Sequence, residues 1–137
     1  LVCPQKNPVL SDYFVNLTGI TQEQVEREGV LFPLALKQFM NFIGEHSLKI
    51  LSNGCDDLII QENCRIHNIS FPSVFLNAIN LKSYFAETLG LPLADCVSGV
   101  LPELFGLKSG EKAHDALADS RSIAQVLRYL WVDGRKV

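Results

Sequence analysis

Apolar residues recur along this chain in two distinct rhythms. Between Pro33 and Gly44, the residues Leu36, Phe39, Met40 and Ile43 fall at the i, i+3, i+4, i+7 spacing of one helix face, which predicts a helix whose apolar side is core. Pro33 is tolerated there because the first turn of a helix makes no use of its missing amide. From Asp115 to Trp131 the same rhythm runs through Ala116, Ile123, Leu127 and Leu130 or Trp131, predicting a long final helix with Asp119, Ser120 and Arg121 off the buried stripe. Leu1-Val2-Cys3 and Leu48 to Leu51 are short continuous apolar runs, the second closed by Ser52-Asn53-Gly54, and both read as strands. Val74 to Asn80 carries a further strand-like stretch after a break at Phe71-Pro72-Ser73.

Punctuation residues place the elements between these runs. Ser11 or Asp12 is positioned to cap a helical turn through Tyr13, Phe14 and Leu17 that Gly19 ends. Thr21 with Gln24 three residues on has the capping-box pattern, and Val25 is expected to begin a short helix that stops near Gly29. Asp57 to Cys64, Leu81 to Leu89 before Gly90, and Leu101 to Leu107 read as further helices. Strands bounded by helices imply an α/β sheet.

Composition narrows the classes open to such a chain. Its 137 residues match one domain on a prior of about 150 residues per domain, so a single domain spanning 1–137 is expected. No apolar run reaches the roughly 18 residues of a membrane-spanning helix, and a soluble protein without a membrane partner is expected. Twelve Lys and Arg against fifteen Asp and Glu leave a net charge of −3, so any contact with a polyanion has to be local. Cys3, Cys55, Cys64 and Cys96 are scattered, with no C-x-x-C pair, which suits reduced thiols in the cytoplasm.

The most informative stretch is His114-Asp115-Ala116-Leu117-Ala118-Asp119, a loop histidine just before a helix that presents a carboxylate in its first turns. Such a pair suits metal-assisted hydrolysis, because Asp binds hard divalent cations and an imidazole takes a proton near neutral pH. The alternative is a surface histidine followed by acids that favour a helix N-terminus. A second cluster, Asn53-Gly54-Cys55-Asp56-Asp57, lies just past a predicted strand, where α/β folds place functional groups. Its acids are equally at home as a helix cap.

Taken in order, these segments resemble the DnaQ-like DEDD 3'-5' exonucleases of RNase H-like fold, in the branch with a catalytic histidine. His114-x-Ala116-x-x-Asp119 is similar to the family's third motif, H-x-A-x-x-D, and Asn53-Gly54-Cys55-Asp56-Asp57 to its second, N-A-x-F-D, with Asp56 at a usually aromatic position. Pro8 to Tyr13, Leu17 to Gln22 and Ala78 to Lys82 resemble the RNA-interference and histone-mRNA exonuclease branch. The family's first motif, D-x-E on its opening strand, has no counterpart before Pro8, so the expected domain is a mixed sheet flanked by helices that lacks its first strand and is N-terminally incomplete.

The resemblance implies that Asp57 and Asp119 help hold two divalent ions, Mg²⁺ or Mn²⁺, and that His114 is the general base on the attacking water. Leu17, Thr18, Gly19, Ile20 and Asn53 are the implied substrate-binding residues, with the Gly19 amide and an apolar wedge meeting the terminal nucleotide. The implied substrate is a single-stranded RNA or DNA 3' end, released as nucleoside 5'-monophosphates. The rival is a catalytically inactive exonuclease-like module that binds nucleic acid or a protein, a reading the missing D-x-E favours. Zinc at Cys55, Cys64 and His67 is not expected for want of a fourth ligand. Tyr13, Phe14, Tyr84 and Phe85 read as core aromatics, with stacking of one on a base as the alternative; His46 reads as structural, and Arg121, Arg128, Arg135 and Lys136 as a solvated basic face, with phosphate contact as the alternative.

Overall fold

Two side-chain caps set where the chain first turns helical. Ser11 Oγ accepts the Phe14 amide at 3.2 Å and opens α1 (Asp12–Thr18). At the start of α2 (Gln22–Glu28), Thr21 Oγ1 accepts the Gln24 amide at 3.2 Å while Gln24 Oε1 accepts the Thr21 amide at 2.9 Å. Each bond satisfies a donor that a helix start otherwise leaves orphaned. The computed structural model describes residues 1–44, 48–108 and 114–132. His46, Arg135 and Lys136 lie outside those residues.

The chain packs as two units, Leu1–Lys49 with Asp57–Asn77, and Ile50–Asp56 with Ala78–Val137. In the first, β1 (Val2–Cys3) pairs in parallel with β2 (Val30–Leu31), and β2 runs straight into α3 (Phe32–Ile43). Val25, Leu36, Ile43, Cys64 and Phe75 are its buried apolar residues. Phe75 is flanked by Phe39 and Phe71, with ring centroids 5.8 Å away in each case. Leu36 and Ile43 are core as the spacing predicts, but Phe39 is 38% exposed and lays one face on Phe75. Tyr13, expected in the core, is 75% exposed, because α1 buries none of its residues.

In the second unit β3 (Leu51–Ser52) pairs in parallel with β4 (Ile79–Asn80). The expected strand at Leu48 to Leu51 thus begins only at Leu51. Val74 to Asn80 divides into a 3-10 turn over Ser73–Asn77 and the two residues of β4. Pro72 explains the division, since its carbonyl accepts the Phe75 amide at 3.2 Å and starts a turn where a ladder would need extended backbone. In chain order α4 (Asp56–Ile66) follows β3 and, from Asp57 on, belongs to the first unit, as does the Ser73–Asn77 turn; after β4 come α5 (Lys82–Leu89), a 3-10 turn at Ser98–Val100, α6 (Leu101–Leu104) and α7 (Ala116–Val132) in the second. Leu81, Phe85, Ala86, Cys96, Leu101, Val126 and Leu130 form one buried cluster, with Phe105 edge-on to Phe85 at 6.0 Å.

The buried row of α7 is Ala118, Ser122, Val126 and Leu130, a strict i+4 line. Ile123 and Leu127 flank it, half-buried against the cluster, and Trp131 is 73% exposed. The apolar rhythm of the sequence therefore marks the edge of the buried face, and its centre uses the two small residues. The Ser98–Val100 turn, with its buried Gly99, packs against the same helix. No helix among the described residues is long and apolar enough to cross a membrane.

Gly29 joins α2 to β2 at an ordinary extended φ, so its requirement is space. A Cβ there would overlap the Val25 carbonyl oxygen and lie 2.6 Å from Cys3 Sγ. Gly29→Ala should lower the unfolding free energy by about 1–3 kcal/mol, since the backbone oxygen cannot move aside without shifting the helix. Urea denaturation checks this, and an unchanged midpoint would show that α2 and β1 are free to separate.

Candidate active site

The start of α7 is built by one aspartate for the use of another. Asp115 Oδ1 accepts the amides of Leu117 at 3.0 Å and Ala118 at 2.9 Å, which makes Asp115 the N-cap, and its carbonyl takes the Asp119 amide at 2.8 Å. Asp119 is left with its side chain unneeded for capping, half-buried beside Ala118. Its Oδ1 is shut off from solvent and has no hydrogen-bond partner among the described residues. A buried acceptor without a donor is costly, and a carboxylate more so. His114 precedes the cap with φ at 63°, the left-handed region that a residue with a Cβ seldom adopts.

The exit of β3 carries the second cluster. Ser52 Oγ donates to the Gly54 carbonyl at 3.0 Å and tightens the turn from which α4 starts. Asp56 is exposed and Asp57, the acid that the motif resemblance puts at the ligand position, is half-buried. The Asn53 amide nitrogen donates to the Cys96 carbonyl at 2.9 Å and to Ser98 Oγ at 3.1 Å, and its Oδ1 is buried without a partner. Asp57 belongs to the first unit; Asn53, His114 and Asp119 belong to the second.

Leu17 to Ile20 form the end of α1. The Gly19 amide, expected to be available to a nucleotide, donates to the Val15 carbonyl at 2.8 Å, because Gly19 closes the helix in the left-handed conformation with φ at 76°. Thr18 Oγ1 donates to the Phe14 carbonyl at 2.9 Å and accepts the Ile20 amide at 3.1 Å, holding Ile20 outside the helix. Ile20 lines a cleft of about 750 Å³ in the first unit with Phe14, Leu10, Val25, Ser11 and Asn63 among its walls. Leu17, Thr18 and Gly19 do not line it. Phe14, read from the sequence as core or as one of the aromatics that could stack on a base, is a cleft residue. Sequence reading missed Gln22, which fixes the cleft loop by accepting the Leu10 amide at 2.9 Å and donating to the Pro8 carbonyl at 3.2 Å.

The zinc alternative fails on chemistry as well as spacing. Burial pushes the Cys64 thiol up, away from the thiolate that a metal needs, and His67 stacks on Phe32 with centroids 5.5 Å apart. Among the described residues no three His, Cys, Asp or Glu side chains are grouped to hold a metal ion.

Residues 1–127 match the family model described as Exonuclease, of the RNase T type. The chain belongs to this exonuclease family. It is 28% identical over 141 residues to the 3'-5' exoribonuclease 1 of Rattus norvegicus, covering 97% of this chain and 41% of the relative. It is 27% identical over 148 residues to the 3'-5' exonuclease crn-4 of Caenorhabditis elegans, covering 99% and 49%. The chain thus spans less than half the length of these two relatives. The nuclease domain of 3'hExo, a DEDDh family member bound to rAMP, superposes with a TM-score of 0.84 at 25% identity, covering 99% of this chain and 72% of that one. The α/β, RNase H-like class expected from the motifs is therefore borne out.

Exonucleases of the DEDD type use divalent ions, and an oxygen such as Asp119 Oδ1, buried with no protein partner among the described residues, is chemically suited to a cation. In metal-free buffer Asp119→Asn should keep the unfolding free energy or raise it by up to about 1 kcal/mol, because a carboxylate with one oxygen buried and unpaired is removed. If Asp119 holds an ion, the same variant should lose any thermal stabilisation that Mn²⁺ confers on the parent protein. Asp115→Ala should instead cost about 1 kcal/mol with or without the ion, the loss of a helix cap. Equal destabilisation by both substitutions would mean that Asp119 has a structural partner.

Proposed function

We propose that this protein is a metal-dependent 3'-5' exonuclease acting on single-stranded 3' ends, RNA in preference to DNA, and releasing nucleoside 5'-monophosphates. The observation that carries the reading is the half-buried Asp119 at the start of α7, one of whose carboxylate oxygens is buried with no partner among the described residues, in the position that the H-x-A-x-x-D motif assigns to a ligand. Asp119 and Asp57 would each hold a divalent ion, Mg²⁺ or Mn²⁺, and the bound ions supply charge neutralisation at the scissile phosphate and a more acidic water.

His114 is the general base in this reading. It takes a proton from the attacking water, a role that suits an imidazole near neutral pH. Its left-handed backbone supports the role: φ at 63° costs a non-glycine residue about 1–2 kcal/mol, a cost that a mere surface histidine has no reason to carry. Ile20 and Phe14 offer apolar walls for the terminal base, and Thr18 ties both to the end of α1 through its bonds to the Phe14 carbonyl and the Ile20 amide. A grip on one chain end, rather than along a groove, suits a chain of net charge −3. The preference for RNA rests on the relatives, one named an exoribonuclease and one solved with rAMP. The four thiols are unpaired, as the cytoplasmic setting expected from the sequence would keep them.

The test is digestion of 5'-labelled single-stranded RNA and DNA by the intact protein with Mg²⁺ or Mn²⁺, beside an EDTA control. A ladder shortening from the 3' end, abolished by EDTA and reduced at least about 100-fold in Asp119→Ala, is the expected result. His114→Gly makes a sharper variant: activity should fall about 100-fold or more while stability rises by up to about 1 kcal/mol, because glycine adopts the left-handed conformation freely. Near-parent activity in both variants would sink the site assignment. A folded protein that binds RNA without shortening it would establish the rival, non-catalytic module.

A further inference from the structure

We propose that Asn53 is a positioning residue for the exonuclease reaction, locking the exit of β3, where the acids of α4 begin, onto the turn against which the Asp119 helix is packed. The proposal rests on the exonuclease reading above and departs from the substrate-contact role that the motif resemblance suggests for this side chain.

The argument starts from what an asparagine can offer. Its amide nitrogen is its whole donor capacity, and in Asn53 that nitrogen is engaged twice, by the Cys96 carbonyl at 2.9 Å and by Ser98 Oγ at 3.1 Å. The oxygen that remains is an acceptor and would repel a phosphate rather than bind it. Both acceptors of the amide lie over 40 positions away in sequence, so the pair of bonds is a tertiary tie and not a local turn.

What the tie holds is the Asp119 helix. Cys96 is fully buried in the same cluster as Val126 and Leu130 of α7, so its carbonyl has a fixed position relative to that helix. Ser98 opens the 3-10 turn Ser98–Val100, which packs against α7, the helix that carries Asp119 in its first turn. At the other end of the tie, Asn53 is three residues before Asp56, with the intervening turn closed by the Ser52 to Gly54 bond of 3.0 Å. Releasing the amide would let β3's exit and α7 adjust independently within the second unit, and a reacting group that is misplaced loses activity steeply.

Three substitutions in the intact protein test this, with steady-state kinetics on single-stranded RNA, Mn²⁺ titration and thermal unfolding. Asn53→Ala should lower kcat about 10–100-fold and raise the Mn²⁺ needed for half-activity, while KM stays within about threefold. Asn53→Asp, which keeps the size and the acceptor but loses both donors, should behave alike. Ser98→Ala removes one partner that no substrate is asked to touch, and should lower kcat in the same direction by a smaller factor. If the tie is the cause, Asn53→Ala combined with Ser98→Ala is no worse than Asn53→Ala alone. A raised KM at unchanged kcat, multiplying effects in the double variant, or parent activity in Asn53→Asp would each overturn the proposal. Should Asn53→Ala fail to fold, Ser98→Ala and Asn53→Asp carry the same decision. An inactive parent protein would overturn the exonuclease reading and the catalytic role together. Non-additive melting temperatures for Asn53 and Ser98 would then still establish the tie, and additive ones would overturn it.

Discussion

One oxygen of Asp119 is withdrawn from water with no donor to meet it, and much of the second unit can be understood as what it takes to hold it there. A charge in that position is unfavourable unless the surrounding packing insists on it. The insistence comes from the i+4 row Ala118, Ser122, Val126 and Leu130, whose lower half is anchored among Phe85, Leu101 and Cys96. The upper half is made of small residues, Ala118 and Ser122, which are buried all the same. Asp115, next door, satisfies the helix's own demand for a capping acceptor, and Asp119 is thereby released from it.

The described strands are too short to account for the order around them. Each parallel pair joins two residues to two, and such ladders are not stable alone. Close approach and side-chain ties do the rest. In the first unit Gly29 brings α2 against Cys3, and Gln22 holds the loop at Pro8 and Leu10. In the second, Asn53 binds the end of β3 to a turn far along the chain.

Local chemistry was legible in the sequence where it acts over three or four residues. The caps at Ser11 and Thr21, the stops at Gly19 and Gly90 and the helix at Phe32–Ile43 follow from rules of that range. The centre of α7's buried face was not legible, because hydrophobicity points to Ile123 and Leu127 while close packing selects Ala118 and Ser122. Nor was the exposure of Tyr13, since an aromatic at helical spacing says nothing about whether another element arrives to cover it. For the candidate site, the motifs marked His114, Asp119 and Asp57, but the roles of Asn53 and the Gly19 amide depended on partners. Asn53 finds its own 43 and 45 positions away; the Gly19 amide finds Val15 inside its own helix.

Where the chain departs from low-energy structure is itself informative. Among the described residues the two buried side-chain oxygens without partners belong to Asn53 and Asp119. The non-glycine residues at positive φ are Asn68, at the end of α4 where an asparagine is at ease, and His114. Three of these four unfavourable features therefore fall on residues of the two exonuclease motifs, and the fourth has an ordinary structural use. Random imperfection would have no reason to gather there, and a chain selected for stability alone would have removed it. A site that has to keep a carboxylate unpaired and a histidine held in place has reason to retain both costs, provided the surrounding core supplies the stability to tolerate them.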